Sequence, residues 1–152
     1  MNTKAEDLSG DRFNEIAFLA DCTAEQQRAL ASFCRVCRFR SYASLQQEGQ
    51  PSRGVYFVLQ GEVLLQKEVR PGAEPARLSI VRRGEMFGFG EIMLRTCYTT
   101  ALALTPVEVV VVTVEDFLRY FLALPKLRDR LLRALSEITR ILIHQNVAGD
   151  GL

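Results

Sequence analysis

The sequence predicts a mainly β domain with short helices in front and one long helix behind. Three observations carry this. Short runs of strand-forming residues follow one another from Arg35 to Val114. Turn signals separate them at Glu48-Gly49-Gln50-Pro51, Gln60-Gly61-Glu62, Pro71-Gly72-Ala73-Glu74-Pro75, Arg83-Gly84-Glu85 and Leu104-Thr105-Pro106. Helical periodicity is confined to the two ends. Several short strands at this spacing imply a sandwich, a barrel or a roll.

The elements follow in order. Residues 1–11 are polar and mixed in charge, and read as a disordered lead. Asp11 is placed to cap a helix that carries Phe13, Ile16, Ala17 and Leu19 on one side. Thr23-Ala24-Glu25-Gln26 is a capping-box pattern and opens a second helix with Leu30 and Phe33 inward. That helix should end near Cys34. The period then changes to two, and strands are expected over Gly54–Leu59, Val63–Val69, Arg77–Val81, Thr99–Leu104 and Val107–Val114. Val109 to Val112 is apolar on both faces, which predicts a strand covered on both sides.

After Val114 the pattern turns helical. Glu115 and Asp116 put negative charge in a first turn. Phe117, Phe121 and Leu124 follow, and Pro125 breaks or restarts the helix. Leu127, Leu131, Ala134, Ile138 and Ile141 recur at heptad-like spacing, with Leu135 and Leu142 widening the stripe. This helix, 126–145, is expected to pair with its twin in a homodimer; packing on its own domain is the alternative. Asp129 with Arg133, and Arg133 with Glu137, are (i, i+4) pairs that would support it. Residues 146–152 read as a loose tail.

Length and charge set limits. A chain of 152 residues is one domain with room for a core. Nineteen basic against eighteen acidic side chains leave a net charge of +1, with no global pull toward nucleic acid or anionic membrane. The N-terminus does not read as a signal peptide, and no run approaches membrane-spanning length. A cytoplasmic location is the expectation. Cys22, Cys34, Cys37 and Cys97 are then thiols rather than disulfides. Cys34-x-x-Cys37 has redox or metal spacing, but it runs into a strand pattern and reads as two core thiols.

The segment richest in chemistry is Arg83-Gly84-Glu85-Met86-Phe87-Gly88-Phe89-Gly90-Glu91-Ile92-Met93-Leu94. Its glycines permit positive φ and close backbone approach. A short helix beginning after Glu91 would aim unpaired N–H groups at one spot, as an anion site does. The candidate ligand set is Gly88, Phe89, Gly90, Glu91, Ile92 and Met93, with Tyr98, Thr99 and Thr100 as hydroxyl partners. The bland alternative is a tight turn with a solvated carboxylate.

Together these residues carry a resemblance. Glu48-Gly49, Val55-Tyr56-Phe57-Val58-Leu59-Gln60-Gly61-Glu62-Val63, Gly84-Glu85-Met86-Phe87-Gly88, Ala101-Leu102-Ala103 and Val107–Val112 resemble the cyclic-nucleotide-binding domain family. More narrowly, the chain is similar to the sensor half of catabolite-activator and fumarate-nitrate-regulator (CRP/FNR) type transcription factors. The resemblance covers residues 12–145. It implies a double-stranded β-helix, or jelly-roll, of about eight strands. It also implies a cassette in which a Phe-Gly-Glu glutamate serves a ribose hydroxyl and a following arginine serves the cyclic phosphate. Taking Phe89-Gly90-Glu91 as that motif puts Glu91 in place and Thr99 where the arginine belongs. Taking Phe87-Gly88 puts Phe89 and Tyr98 there. Neither supplies the arginine, and a buried phosphate without a cation is costly. Arg95 is the nearest cation. The resemblance therefore supports the fold more strongly than cyclic AMP binding, and no cofactor is assigned.

Other functions are weighed on the same residues. His144 is the single histidine, so neither a metal-binding cupin set nor a Ser–His or Cys–His pair can be assembled. It reads as a helix-end residue rather than a haem ligand, and the clustered N-terminal cysteines of iron–sulfur relatives are not reproduced. Catalysis is not expected. No sequence remains after the long helix for a helix-turn-helix module, so direct nucleic-acid binding by this chain is not expected either. Arg128, Arg130, Arg133 and Arg140 read as a solvated face. The expected function is a small-molecule-sensing regulatory domain that signals through its last helix; a ligand-free dimerisation or docking module is the alternative.

Overall fold

The computed structural model describes residues 2–4, 10–92 and 94–149, with side chains described at 12–92, 94–137 and 140. Two antiparallel sheets pack face to face, and helices cover the outer face of the larger one. In chain order the elements are β1 (Asn2–Lys4), α1 (Gly10–Phe13), a 3₁₀ turn (Ala17–Leu19), α2 (Ala24–Ala31), β2 (Arg35–Phe39), β3 (Ser44–Gln46), β4 (Val55–Gln60), β5 (Val63–Lys67), β6 (Ala76–Val81) and β7 (Met86–Phe87). Then come a 3₁₀ turn (Phe89–Glu91), β8 (Thr100–Ala103), β9 (Val107–Val112), α3 (Val114–Asp116), a π-helical turn (Phe117–Phe121) and α4 (Pro125–Gly149). The sheets run β1-β2-β9-β4-β7 and β3-β8-β5-β6.

Alternation along the strands builds two cores. Val55, Phe57 and Leu59 of β4 join Val36, Val110 and Val112 under the helices, with Phe13, Ile16, Leu30, Phe117, Phe121 and Leu127. Tyr56 and Val58 face the other way, toward Val63, Val81, Ala101, Ala103 and Val109 between the sheets. Strand β9 thus contributes to both cores, as its unbroken valine run requires. Tyr56 stacks on Phe87 with ring centroids 4.6 Å apart.

The capping box forms as the sequence requires. The Gln26 N–H donates to Thr23 Oγ1 at 3.1 Å, and the Thr23 N–H donates to Gln26 Oε1 at 2.9 Å. Pro125 is the first residue of α4, where its missing N–H costs nothing.

Several expectations change. Residues 2–4 of the expected disordered lead form edge strand β1 against β2, with Thr3 opposite Cys37. Its polar side chains gave no signal because an edge strand needs only backbone pairing. Asp11 lies inside α1 rather than capping it. Cys34 and Cys37, by contrast, are the two core thiols expected: Cys34 is buried under the helices and Cys37 between the sheets. Burial pushes the Cys34 thiol up to about 12.

The dimer stripe also divides. Leu127 and Leu131 are buried against the chain's own sheet, Leu135 packs on the same core, and Leu132 stands exposed at 57%. The heptad spacing is therefore used first by the domain itself. Ala134 is half-buried, and Ile138 and Ile141 lie outside the described side chains. Arg130 does not belong to a solvated face: its guanidinium donates to the Phe18 carbonyl at 2.8 Å and pairs with Asp21. It ties α4 to the first 3₁₀ turn. Arg140 pairs with Glu137 at 2.6 Å.

Candidate functional site

The glycine bend sits where β7 leaves the larger sheet. Gly88 has φ of 86°, and a Cβ there would stand 2.8 Å from the Gly54 carbonyl oxygen. Glycine is needed at this position so that the bend can lie against the start of β4. Gly90 has no such constraint and is exposed. The helix expected after Glu91 is instead a single 3₁₀ turn that ends at Glu91. Within the bend the Glu91 N–H donates to Gly88 O at 3.4 Å, and the Leu94 and Arg95 N–H groups donate to Glu91 O at 3.2 and 3.0 Å.

Glu91 is buried, at 6% exposure, rather than solvated. The Gln46 amide donates to its two carboxylate oxygens at 3.4 and 3.2 Å. The same amide lies 3.1 Å from the Thr99 hydroxyl and carbonyl oxygens. The Thr99 hydroxyl donates to Glu91 Oε1 at 3.2 Å. Burial raises the pKa of Glu91; N–H groups of Tyr98 and Thr99, with the two side-chain donors, work against that rise. The carboxylate that the resemblance assigns to a ribose is thus satisfied from within the chain.

The other expected ligand residues divide among different neighbourhoods. Ile92 is buried in the core under the helices, and Phe89 packs against it. Met93 lies outside the described residues. Thr100 Oγ1 accepts from the Glu48 N–H at 3.1 Å. Tyr98 is exposed, and Lys67 Nζ sits 4.8 Å above its ring. Lys67 also pairs with Glu48 at 2.7 Å. That contact, first of all, holds the Glu48 carboxyl below its ordinary value. Arg95 turns outward to Glu115 at 2.9 Å and does not meet Glu91.

Three residues that sequence reasoning passed over belong to this region: Gln46, Ser52 and Arg53. They line a cleft of about 500 Å³ together with Ser44, Leu45, Gln50, Pro51 and Cys97. Nothing in the sequence marked Gln46, since its partner lies 45 positions away. Among the described residues no group of three or more His, Cys, Asp or Glu is placed to hold a metal, and no helix is long and apolar enough to cross a membrane.

Comparison with known proteins decides the family. The profile of the cyclic nucleotide-binding domain matches residues 36–123, more than half of the chain. The chain belongs to the cyclic nucleotide-binding domain family. This is a regulatory, ligand-sensing domain type, and the two-sheet roll is its fold. The sensor domain of the transcriptional regulator DNR from Pseudomonas aeruginosa shares the fold at a TM-score of 0.74 and 19% identity, over 90% of this chain and 89% of that one. The regulatory domain of Toxoplasma gondii PKA, solved with cAMP, gives 0.73 and 20% over 84% of this chain and 48% of that one. The regulatory subunit of a cAMP-independent protein kinase A from Trypanosoma brucei gives 0.72 and 18% over 82% and 44%. The chain thus spans about half the length of those two kinase regulatory chains. No curated protein matches it significantly. One roll serves a cAMP-bound and a cAMP-independent protein alike, so the fold by itself does not choose the ligand.

Proposed function

We propose that this domain is a regulatory sensor whose cyclic-nucleotide cassette is degenerate and whose output runs through α4. The observation that carries the reading is the closed Glu91–Gln46–Thr99 network. Thr99 stands where one alignment of the cassette requires arginine, and it spends its hydroxyl on Glu91. A cyclic phosphate brought to this spot would meet a carboxylate and no guanidinium, which is an unfavourable exchange for its water shell. The ligand of such a sensor is a small molecule other than a cyclic nucleotide.

The route to α4 is short. Leu127 and Leu131 are seated on the core to which Ile92 and Phe89 also belong. A ligand that reorders the bend would therefore change the packing beneath α4. We further infer a homodimer through the outward part of α4 with exposed Leu132, a non-catalytic role, a cytoplasmic location, and no direct contact of this chain with nucleic acid. The alternative, a docking module without ligand, draws on the same closed network. Calorimetric titration with cyclic AMP, cyclic GMP and cyclic di-GMP tests the reading. Absence of heat with all three is expected; binding of any of them in the micromolar range overturns the degenerate cassette.

A further inference from the structure

The cleft beside the Glu91 network holds two buried polar atoms without partners. Gln46 Oε1 and Ser52 Oγ are both shielded from solvent, and neither has a hydrogen bond among the described residues. Gln46 is 94% buried by its exposure of 6%. Both residues line the same cleft of about 500 Å³, a size ordinary for small-molecule sites. Buried polar groups in folded proteins are almost always paired, so two orphans on residues that line one cavity call for an occupant. Each orphan costs on the order of the desolvation of a polar group until it is met.

The lining specifies what the occupant must offer. The Gln46 amide nitrogen is committed to Glu91 and Thr99, which fixes Oε1 as a pure acceptor. It needs an O–H or N–H donor. The Ser52 hydroxyl can give or take one bond. Arg53, next in the chain, is exposed and makes no ion pair among the described residues. Its positive field reaches the thiol of Cys97, another lining residue. That thiol already faces the Pro51 carbonyl at 3.8 Å. A free guanidinium at the rim of a polar cleft matches a carboxylate or a phosphate.

We propose that the cleft of Gln46, Ser52 and Arg53 binds a small organic anion that also carries a hydroxyl or amino donor. The anionic group pairs with Arg53, the donor meets Gln46 Oε1, and the Ser52 hydroxyl bridges them. This deepens the sensor reading by naming a ligand class, because Gln46 also holds Glu91: an occupant that pulls on Gln46 Oε1 acts directly on the cassette network. The charge is met from the 50–53 loop rather than from the glycine bend.

The test uses the intact chain and four probes in calorimetry. Glycerol 3-phosphate and glycerate carry charge and donors; methyl phosphate carries charge alone, and glycerol donors alone. At least one of the first two should bind roughly tenfold or more tighter than either control. Which of them does so separates a phosphate from a carboxylate ligand. Arg53→Gln, at an exposed position that leaves the fold intact, should weaken that binding by about tenfold or more. Ser52→Ala should weaken it by about threefold or more. The Gln46 side-chain amide resonances should shift on saturation. No binding of either hydroxylated anion at about 10 mM, or equal affinity in Arg53→Gln, overturns the proposal and leaves the orphans to water. A cyclic nucleotide is itself an anion with hydroxyl donors, so any nucleotide binding is measured again in Arg53→Gln: binding that survives there counts against the degenerate cassette, binding lost there belongs to the cleft, and the two readings fail separately.

Discussion

Leu127→Ala against Leu132→Ala reads out how α4 is seated. Leu127 is wholly buried in the core under the helices, while Leu132, little more than one turn away, is exposed at 57%. Truncating Leu127 removes about three methylene-sized groups from an apolar site, roughly 2.4 kcal/mol at about 0.8 kcal/mol per group. A partly relaxed cavity adds about 1 kcal/mol. The expected loss is therefore about 3–4 kcal/mol. Alanine and leucine are both good helix formers, so propensity barely enters. Leu132→Ala in the monomer should stay within about 0.5 kcal/mol. Urea unfolding at several protein concentrations measures both. A Leu127→Ala cost below about 1 kcal/mol, far under the usual range for a buried leucine, would refute the seating of α4 on the roll. An equal cost at both positions would refute the assigned helix face. If Leu132 lies at a dimer interface, its variant instead loses stability in a concentration-dependent way.

Two further perturbations test the site's surroundings. Gly54 has φ of 146°, and a Cβ would fall 1.9 Å from the Val112 carbonyl oxygen; Gly54→Ala should cost roughly 2–5 kcal/mol. Gly72→Ala, also at positive φ but in open space, should cost only about 1–2 kcal/mol by the same urea assay, and equal costs would deny the close approach of the 54 turn to β9. Glu91 has a folded pKa above its ordinary 4.5. The folded state then holds the proton more tightly, so the stability contributed by Glu91 is greatest below that value and falls as pH rises through the folded pKa. Glu91→Gln should remove this dependence. The stability difference between variant and wild type should shift in the variant's favour from pH about 4 upward; a flat difference, or one growing toward the wild type, would contradict the buried carboxylate.

The fold was legible where local signals and burial agree. The Thr23–Gln26 box, the change of period at Arg35 and the two-faced valine run at 109–112 are all visible in the chain and all realised. β1, β3 and β7 were not legible: the first two are three residues long and the last only two. Each is defined by a partner strand rather than by its own pattern. The glycine bend was legible as a turn, and the surroundings of Glu91 less so. Glu91 was picked out, but its burial depends on Gln46 from a strand 45 positions earlier, and no local pattern encodes that. The glycines were noticed, yet the space that Gly88 leaves open is taken by Gly54 O. The stripe on α4 fits both a seam between twins and packing on its own roll; Leu127 and Leu131 serve the domain's own core, because periodicity shows a face and not what covers it.

The central claim is that Glu91 is locked to Gln46 and Thr99, with no guanidinium where a cyclic phosphate would lie. Titration of cyclic AMP into native protein and into Thr99→Arg tests it most directly. The account predicts no measurable heat from the native chain and saturable binding, if any, only in the variant that supplies the missing cation. Micromolar binding to the native chain that Thr99→Arg leaves unchanged would contradict it.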